Sequence, residues 1–278
     1  GIQAGEAVGI DVTSTLHFTS SILSIWMANG VPCPVDKRYP KTRKDYVYKN
    51  AGVQKILQSN GEILQIETTN NLTIIHPSEA GFILHTSGST GEPKGVIQTH
   101  ACLLNLISWN AKSFQMNDKD VILQLSSFGF DASFHEILLA LCLGATLIEM
   151  PIEHRLDIHE IRKQIVKYNV SLAWIPARLL NAILEVDNNF FEACHSLRQI
   201  VTTGEALVIG QELRYFLRDT NVQLLNYYGP TETHVITANA VDFSKAITQP
   251  SIGKILPNSK IHLIQHGMPV PIGMPGEI

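Results

Sequence analysis

An α/β fold of mostly parallel sheets covered by helices is what the sequence predicts, and three observations carry it. Short apolar runs such as "GIDV", "VSLAWI", "LRQIVTT" and "VQLLNYY" recur as strand candidates. Stretches of helical length and periodicity separate them, the β-α-β pattern of a parallel sheet. Hydrophobic residues make up 45% of the 278 residues, enough for a sizeable core in one large domain or two ordinary ones.

Taken in order, "GEAVGIDV" ends in a strand-like run. The following "TLHFTSSILSIWMANG" places Leu16, Thr19, Leu23, Trp26 and Met27 near one helical face, with Gly30 as the stop. "VPCPVD" reads as a second short strand. Further on, Ile158, Ile161, Ile165 and Tyr168 mark an amphipathic helix before "VSLAWI", and helices at about 177 to 185 and 209 to 218 alternate with the next two strands. After Thr233 the pattern changes to short strands punctuated by Pro and Gly, as in "SIGKILPNSKIHLI". That change suits an appended barrel or antiparallel sheet. The expected division is α/β layers over residues 1 to about 235 and a β-rich segment over about 236–278.

The formal net charge is -4, with both signs spread along the chain, so neither a nucleic-acid footprint nor an anionic-membrane surface is signalled. Small molecules or other proteins are the implied partners. Cys33, Cys102, Cys142 and Cys194 lie far apart with no C-x-x-C pair, which reads as buried thiols in a reducing compartment. No apolar run is long enough to cross a bilayer and "GIQAGEAVGI" lacks the regions of a signal peptide, so the cytoplasm is the expected location. His154, His159 and His195 show no metal-ligand spacing and read as surface residues. The opening on Gly1 and the close on "GMPGEI" suggest a stretch cut from a longer chain.

Three stretches carry chemistry. In "LHTSGSTGEPKGV", Thr86, Ser87, Ser89 and Thr90 offer hydroxyl donors, while Gly88 and Gly91 let a ligand reach backbone amides. A Walker A loop requires Gly-Lys-Ser/Thr and an immediate helix; Pro93-Lys94-Gly95 supplies neither. The apolar flanks "GFIL" and "GVIQTH" favour a phosphate-holding turn between buried strands over a solvated linker. Second, "YYGPTETH" follows a strand, so it sits at the carboxyl edge of the sheet where open α/β folds bind ligands. There Glu232 offers Mg²⁺ a hard oxygen ligand and Tyr228 a ring for a base, while a helix capped at Thr231 fits the same residues equally well. Third, "SSFGFDASFHEILLALCLGATL" starts a strongly apolar helix at Asp131, by pattern alone an ordinary N-cap, with His135 one turn on and on the same face.

In this order and spacing, these stretches resemble the adenylate-forming superfamily of acyl-CoA synthetases, luciferases and adenylation domains. The likeness is greatest to the amino-acid-activating adenylation domains of nonribosomal peptide synthetases. "LHTSGSTGEPKGV" is similar to the family's phosphate loop, "FDASFHEI" to its substrate-helix motif and "NYYGPTET" to its adenine and magnesium motif; "ANGVPCPVDKRYP" resembles an early motif. The resemblance covers essentially the whole chain and implies the N-terminal core of such an enzyme, with the start of a small β-barrel-like subdomain and no C-terminal lid domain.

It further implies that Thr86, Ser87, Gly88, Ser89, Thr90, Gly91 and Lys94 hold the β- and γ-phosphates of ATP. Asn226 would bond the adenine amino group, Tyr228 would stack on the ring beside Gly229, and Gly204, Glu205 and Ala206 would line the other side. Thr231 would touch the α-phosphate, Glu232 would bind Mg²⁺, and Asp131 would pair with the substrate's α-ammonium. The activated acyl group would pass to the phosphopantetheine thiol of a peptidyl carrier protein, with condensation domains of the same assembly line as further partners. His85 and Thr203 depart from the commonest family residues, tyrosine and glycine, and Thr203 is expected to narrow the pocket. Without the family's ribose-binding aspartate and C-terminal catalytic lysine, this stretch alone is expected to adenylate poorly or not at all.

The side-chain pocket implied by the resemblance comprises Ala132, His135, Trp174, Val201, Thr203, Tyr227, Val235 and Ile236, none of them Lys, Arg, Asp or Glu. A neutral, small or medium side chain is therefore expected, with hydrogen bonds available from His135, Thr203 and Tyr227. Two rivals stand beside amino-acid activation: an acyl- or aryl-CoA ligase, and a catalytically silent chain that keeps only the fold.

Overall fold

The computed structural model describes residues 1–67, 79–87, 92–187, 190–244 and 248–278, leaving aside the side chains of Ser87 and Asp219. In chain order the elements are β1 (Ala7–Val12), α1 (Thr15–Met27), β2 (Val31–Asp36), α2 (Lys41–Asn50), β3 (Lys55–Leu57), β4 (Ile63–Gln65), β5 (Ala80–Ser87), β6 (Pro93–Thr99), α3 (His100–Ser113) and β7 (Val121–Gln124). They continue with α4 (Asp131–Leu143), β8 (Thr146–Glu149), α5 (Ile158–Tyr168), β9 (Leu172–Trp174), α6 (Ala177–Val186), β10 (Gln199–Thr202), α7 (Gln211–Asp219), β11 (Gln223–Tyr228), β12 (Thr237–Ala240), β13 (Lys254–Ile255), β14 (Ile264–Gln265) and β15 (Met268–Pro269).

Among the described residues the strands form two main sheets and two two-stranded ones, β5 with β6 and β14 with β15. The smaller main sheet runs β2-β1-β3-β4, parallel except for β4; the larger runs β13-β12-β11-β10-β9-β7-β8, parallel from β8 through β11. In the middle of that parallel block, β9 (LAW) and β10 (QIVT) are short runs buried along their whole length, as strands covered on both faces must be, while the edge strand β8 is partly exposed. β12 and β13 extend the sheet antiparallel, and β14 with β15 forms a two-residue hairpin. Among the described residues the segment after Thr233 therefore adds antiparallel strands to the main sheet, with no closed barrel.

The face of α1 differs from the expected one. Phe18, Ile22 and Ile25 are fully buried, whereas Leu16 and Met27 are 76% and 87% exposed. Phe18-Ile22-Ile25 is the continuous stripe at i, i+4, i+7, and its bulkier, branched side chains take the core. The stop also lies one residue earlier than expected: Asn29 adopts the left-handed conformation (φ 58°), and the Gly30 N–H returns to the Ile25 carbonyl at 2.8 Å. In α5, Ile161 and Ile165 are buried while Tyr168 faces outward. Of the thiols, Cys33 and Cys194 are buried, Cys102 is half-buried and Cys142 is exposed.

A seam of aromatic rings joins the two sheets. Phe18 of α1 stacks on Phe128 (4.9 Å) and meets Phe134 of α4 edge-on (5.0 Å), while Phe134 stacks on Phe82 of β5 at 4.0 Å. Polar bonds reinforce the seam: the Thr15 N–H donates to Glu149 (2.7 Å), and the Ser127 hydroxyl donates to Asp36 (2.8 Å). Asp36 is otherwise held by Arg38; burial opposes its ionisation, but these bonds prevail and keep its carboxyl at about 2. Among the described residues no helix is long and apolar enough to cross a membrane.

Phe134 touches both of its ring partners with no exposed surface. Phe134→Ala is expected to lower unfolding free energy by about 3–5 kcal/mol in denaturant titration, and Phe134→Leu by roughly 1.5 kcal/mol or less.

Candidate active site

The carboxyl ends of β9, β10 and β11 and the start of α4 surround a cavity of about 530 Å³. Parallel strands end here with their connections diverging, the usual location of a ligand crevice. From β9 it takes Trp174, from the end of β10 Val201, Thr203, Gly204 and Glu205, and from beyond β11 Gly229, Pro230 and Thr231. Phe130, Asp131 and Ala132 close the side formed by α4.

Asp131 is the first residue of α4, not its cap. Phe130 occupies the N-cap position and no side-chain capping bond is made. The Asp131 carboxylate thus stays uncommitted to the helix while lying in its first turn, where the partial positive charge of the N-terminus favours an anion. Its nearest ionisable neighbour is His234, with Nδ1 at 3.8 Å. That nitrogen accepts the Val235 N–H at 2.9 Å, so it offers Asp131 no proton.

The turn after β11 is set by close packing. A Cβ on Gly229 would lie 1.6 Å from the His234 carbonyl oxygen, so only glycine permits this approach. The turn is closed by the Thr233 N–H donating to the Pro230 carbonyl (3.0 Å), and His234 follows in the left-handed region (φ 56°). No helix begins at Thr231, so the helix-cap alternative for Thr231 and Glu232 does not hold. Glu232 is exposed and lies outside the cavity wall. Gln98 of β6 donates to the Thr231 carbonyl at 2.5 Å, tying the β5–β6 hairpin to this turn.

In that hairpin Thr86 pairs with Lys94 and Ser87 with Pro93, so Pro93-Lys94-Gly95 is strand and the helix a Walker A loop requires is absent there. Gly88, Ser89, Thr90 and Gly91 lie outside the described residues; Lys94 is exposed. His85, one residue before Thr86, shares a 2.9 Å hydrogen bond with Asn50. Burial, aided by the charge of Arg43, pushes it down to about 4, so it is neutral at physiological pH.

Of the expected side-chain pocket, Ala132, Trp174, Val201 and Thr203 line the cavity; His135, Tyr227, Val235 and Ile236 do not. His135 and Tyr227 are buried behind Trp174 and hydrogen-bonded to Asn110, which leaves Thr203 as the expected polar contact still facing the space. Ala206, Asn226 and Tyr228 also lie outside the wall; the Asn226 amide donates to the Ser251 carbonyl at 3.2 Å.

The wall also contains side chains that the motifs did not reveal, chiefly Arg38, Ser126, Ser127 and Arg155. Arg155 comes from the β8–α5 connection, and nothing in its neighbourhood in sequence marks it. Its guanidinium is spent on the Ser126 carbonyl (2.8 Å) and Gln124 Oε1 (2.5 Å) and lies over the Phe128 ring at 4.3 Å. Arg38 is matched by Asp36 at 2.7 Å.

Beneath Ser126 lies Glu136, fully buried, accepting from the Ser126 N–H (3.1 Å), the Ser126 hydroxyl (2.8 Å) and Gln124 Nε2 (3.0 Å). Burial outweighs these bonds and raises its carboxyl from the ordinary 4.5 to about 7. Its contribution to stability is therefore complete below about 4.5 and lost as pH rises through 7, a change of roughly 3 kcal/mol. Glu136→Gln is expected to flatten stability between pH 5 and 8 relative to the parent chain, measured by denaturant midpoints.

The model of the family described as AMP-binding enzyme matches residues 1–278. Gramicidin S synthase 2 of Brevibacillus brevis is 29% identical over 297 aligned residues; the match takes in the whole of this chain but only 7% of that synthase. Among solved structures, the nonribosomal peptide synthetase FmoA3 superposes with a TM-score of 0.81 at 22% identity, over 96% of this chain and 30% of that one. The Klebsiella oxytoca NpsA N-terminal subdomain, in complex with 3-hydroxyanthranilyl-AMSN, gives 0.81 at 21% identity, over 99% of this chain and 74% of its own. Fold, cavity and a family match along its entire length lead to one assignment: the chain belongs to the AMP-binding enzyme family.

Proposed function

We propose that the chain activates an amino acid as its aminoacyl-adenylate for transfer to a carrier protein. The observation that carries this reading is the Asp131 carboxylate, which makes no capping bond to its helix and stands in the wall of a cavity that the Gly229–Thr231 turn also lines. A carboxylate in a partly desolvated cavity wall selects a cationic partner, and the α-ammonium of an amino acid is one. Acyl- and aryl-activating relatives have no such group to neutralise.

In this reading Thr86, Lys94 and the loop between them hold the β- and γ-phosphates of ATP, and Asn226, Tyr228 and the Gly204–Ala206 segment hold the adenine. Thr231 addresses the α-phosphate. The substrate carboxylate oxygen forms a bond to the α-phosphorus as the bond to the bridging oxygen breaks, and pyrophosphate departs with that electron pair. No protein nucleophile is needed; the side chains position the reactants and neutralise charge. The exposed Glu232 carboxylate is a hard-oxygen ligand of the kind Mg²⁺ takes, and the metal would supply further charge neutralisation at the phosphates. The phosphopantetheine thiol of a peptidyl carrier protein then bonds to the acyl carbon as the bond to the adenylate oxygen breaks and AMP departs, with condensation domains downstream. Similarity to Gramicidin S synthase 2, of which the chain spans 7%, supports that setting.

Because Arg38 and Arg155 are already engaged by protein partners, the substrate side chain is neutral. Amino-acid-dependent exchange between ATP and pyrophosphate by the full-length protein tests the function; a clear preference for Asp, Glu, Lys or Arg would contradict the neutral pocket. Asp131→Ala is expected to weaken binding of an aminoacyl-sulfamoyl-adenosine by roughly 30- to 150-fold, about 2–3 kcal/mol. The counterpart lacking the amine is expected to bind the variant and the parent equally; an equal loss for both would indicate an acyl- or aryl-activating enzyme or a structural role for Asp131.

A further inference from the structure

Trp174 forms part of the cavity wall. Behind its indole, between α3, α4, β9 and β11, lies a polar cluster centred on Asn110, which is completely buried. Asn110 Nδ2 donates to His135 Nε2 at 2.8 Å, and the Tyr227 hydroxyl donates to Asn110 Oδ1 at 2.8 Å. A single amide therefore sets two rings. The His135 ring meets Trp174 edge-on at 5.1 Å and lies parallel to Tyr227 at 6.2 Å. On the far side, Trp109 and Phe114 approach Tyr227 at 5.7 and 6.2 Å. Rotation of either ring would strand a buried polar atom, which is costly.

Protonation states agree with these roles. Burial, helped by the nearby His234, drives His135 well below its usual range, so the ring is neutral and Nε2 is free to accept. With Nε2 accepting, the ring proton resides on Nδ1. Burial likewise holds the Tyr227 hydroxyl protonated, as a donor must be.

We propose that Asn110 is a specificity-determining positioning residue: through His135 and Tyr227 it holds a closed plug behind Trp174, which limits the activated amino acid to a small, uncharged side chain. Both rings have their polar atoms committed to Asn110 and lie outside the cavity wall. The side chain of the substrate accordingly meets the Trp174 indole and Thr203, with no passage deeper. The inference rests on the amino-acid-activating reading, and it assigns the depth of that pocket to a residue on α3 that never touches substrate.

The test uses the full-length protein and two pairs of sulfamoyl-adenosine ligands. One pair carries alanyl and leucyl groups; the other carries their counterparts without the amine, propionyl and 4-methylpentanoyl. The parent protein is expected to prefer the smaller member of a pair by about 100-fold. Asn110→Ala is expected to narrow that ratio at least about tenfold while affinity for ATP alone stays unchanged, a pattern that uniform loss of folded protein would not produce. Tyr227→Phe keeps the ring volume and removes only the donor, so it should narrow the ratio in the same direction in a fold that persists. In ¹⁵N spectra of the parent, the His135 ring should carry its proton on Nδ1, and both variants should show exchange between tautomers. An unchanged ratio in both variants, or a parent that prefers the larger ligands, overturns the proposal. Equal binding of amine and amine-free ligands by the parent overturns amino-acid activation instead, and the size ratio within the amine-free pair still decides the plug.

Discussion

The stack of Phe82 on Phe134, with Phe18 and Phe128 against it, is the contact on which the site depends. Phe82 belongs to the hairpin whose tip carries the phosphate-loop motif, Phe134 to the helix that begins at Asp131, and Phe18 to the helix covering the smaller sheet. Four rings packed without exposed surface are too large to slide past one another. Their burial fixes the hairpin relative to α4, and the Thr15–Glu149 and Ser127–Asp36 bonds hold the same junction from its polar side.

Around that seam the cavity is built from strand ends and one constrained turn. Gly229 approaches the His234 carbonyl so closely that no side chain fits between them, and the left-handed His234 lies beside Asp131. The same short segment therefore places Thr231 on one side and shapes the surroundings of the Asp131 carboxylate on the other. Gln98 ties the turn to the hairpin, so three motifs far apart in the chain are bound into one rigid unit. Preorganisation of this kind suits a reaction that needs positioning and charge neutralisation more than covalent chemistry.

Charge is handled inside this unit by pairing within the protein. Arg38 is taken by Asp36; Arg155 is spent on carbonyl oxygens and a ring; Glu136 sits beneath Ser126 with its carboxyl raised toward neutrality by burial. The cavity thereby has charged residues in its wall and one carboxylate, Asp131, left uncommitted to the helix it begins. Half-buried in the wall, the Asp131 carboxylate makes no capping bond to its own helix and faces the cavity.

Much of the fold was legible in the sequence. Largely apolar runs such as "VSLAWI" and "VQLLNYY" mark the strands, and helices at 158–168, 177–186 and 211–219, within about two residues of the expected bounds, separate them. The motif residues declared the family, and Pro93-Lys94-Gly95 excluded a Walker A helix because proline and glycine oppose a helix start there. Other features depended on distance in space. Leu16 and Phe18 are both apolar, and only the neighbouring rings decide which faces inward. Whether Arg155 reaches the cavity, and whether His135 and Tyr227 turn to Asn110, are settled by partners 25 to 117 residues away in the chain. Periodicity and motif spacing are local properties, so the sequence by itself determined most of the elements and the family. Hydrogen-bond commitment and burial join distant segments, so the tertiary structure alone decided which of those groups remain available to a ligand.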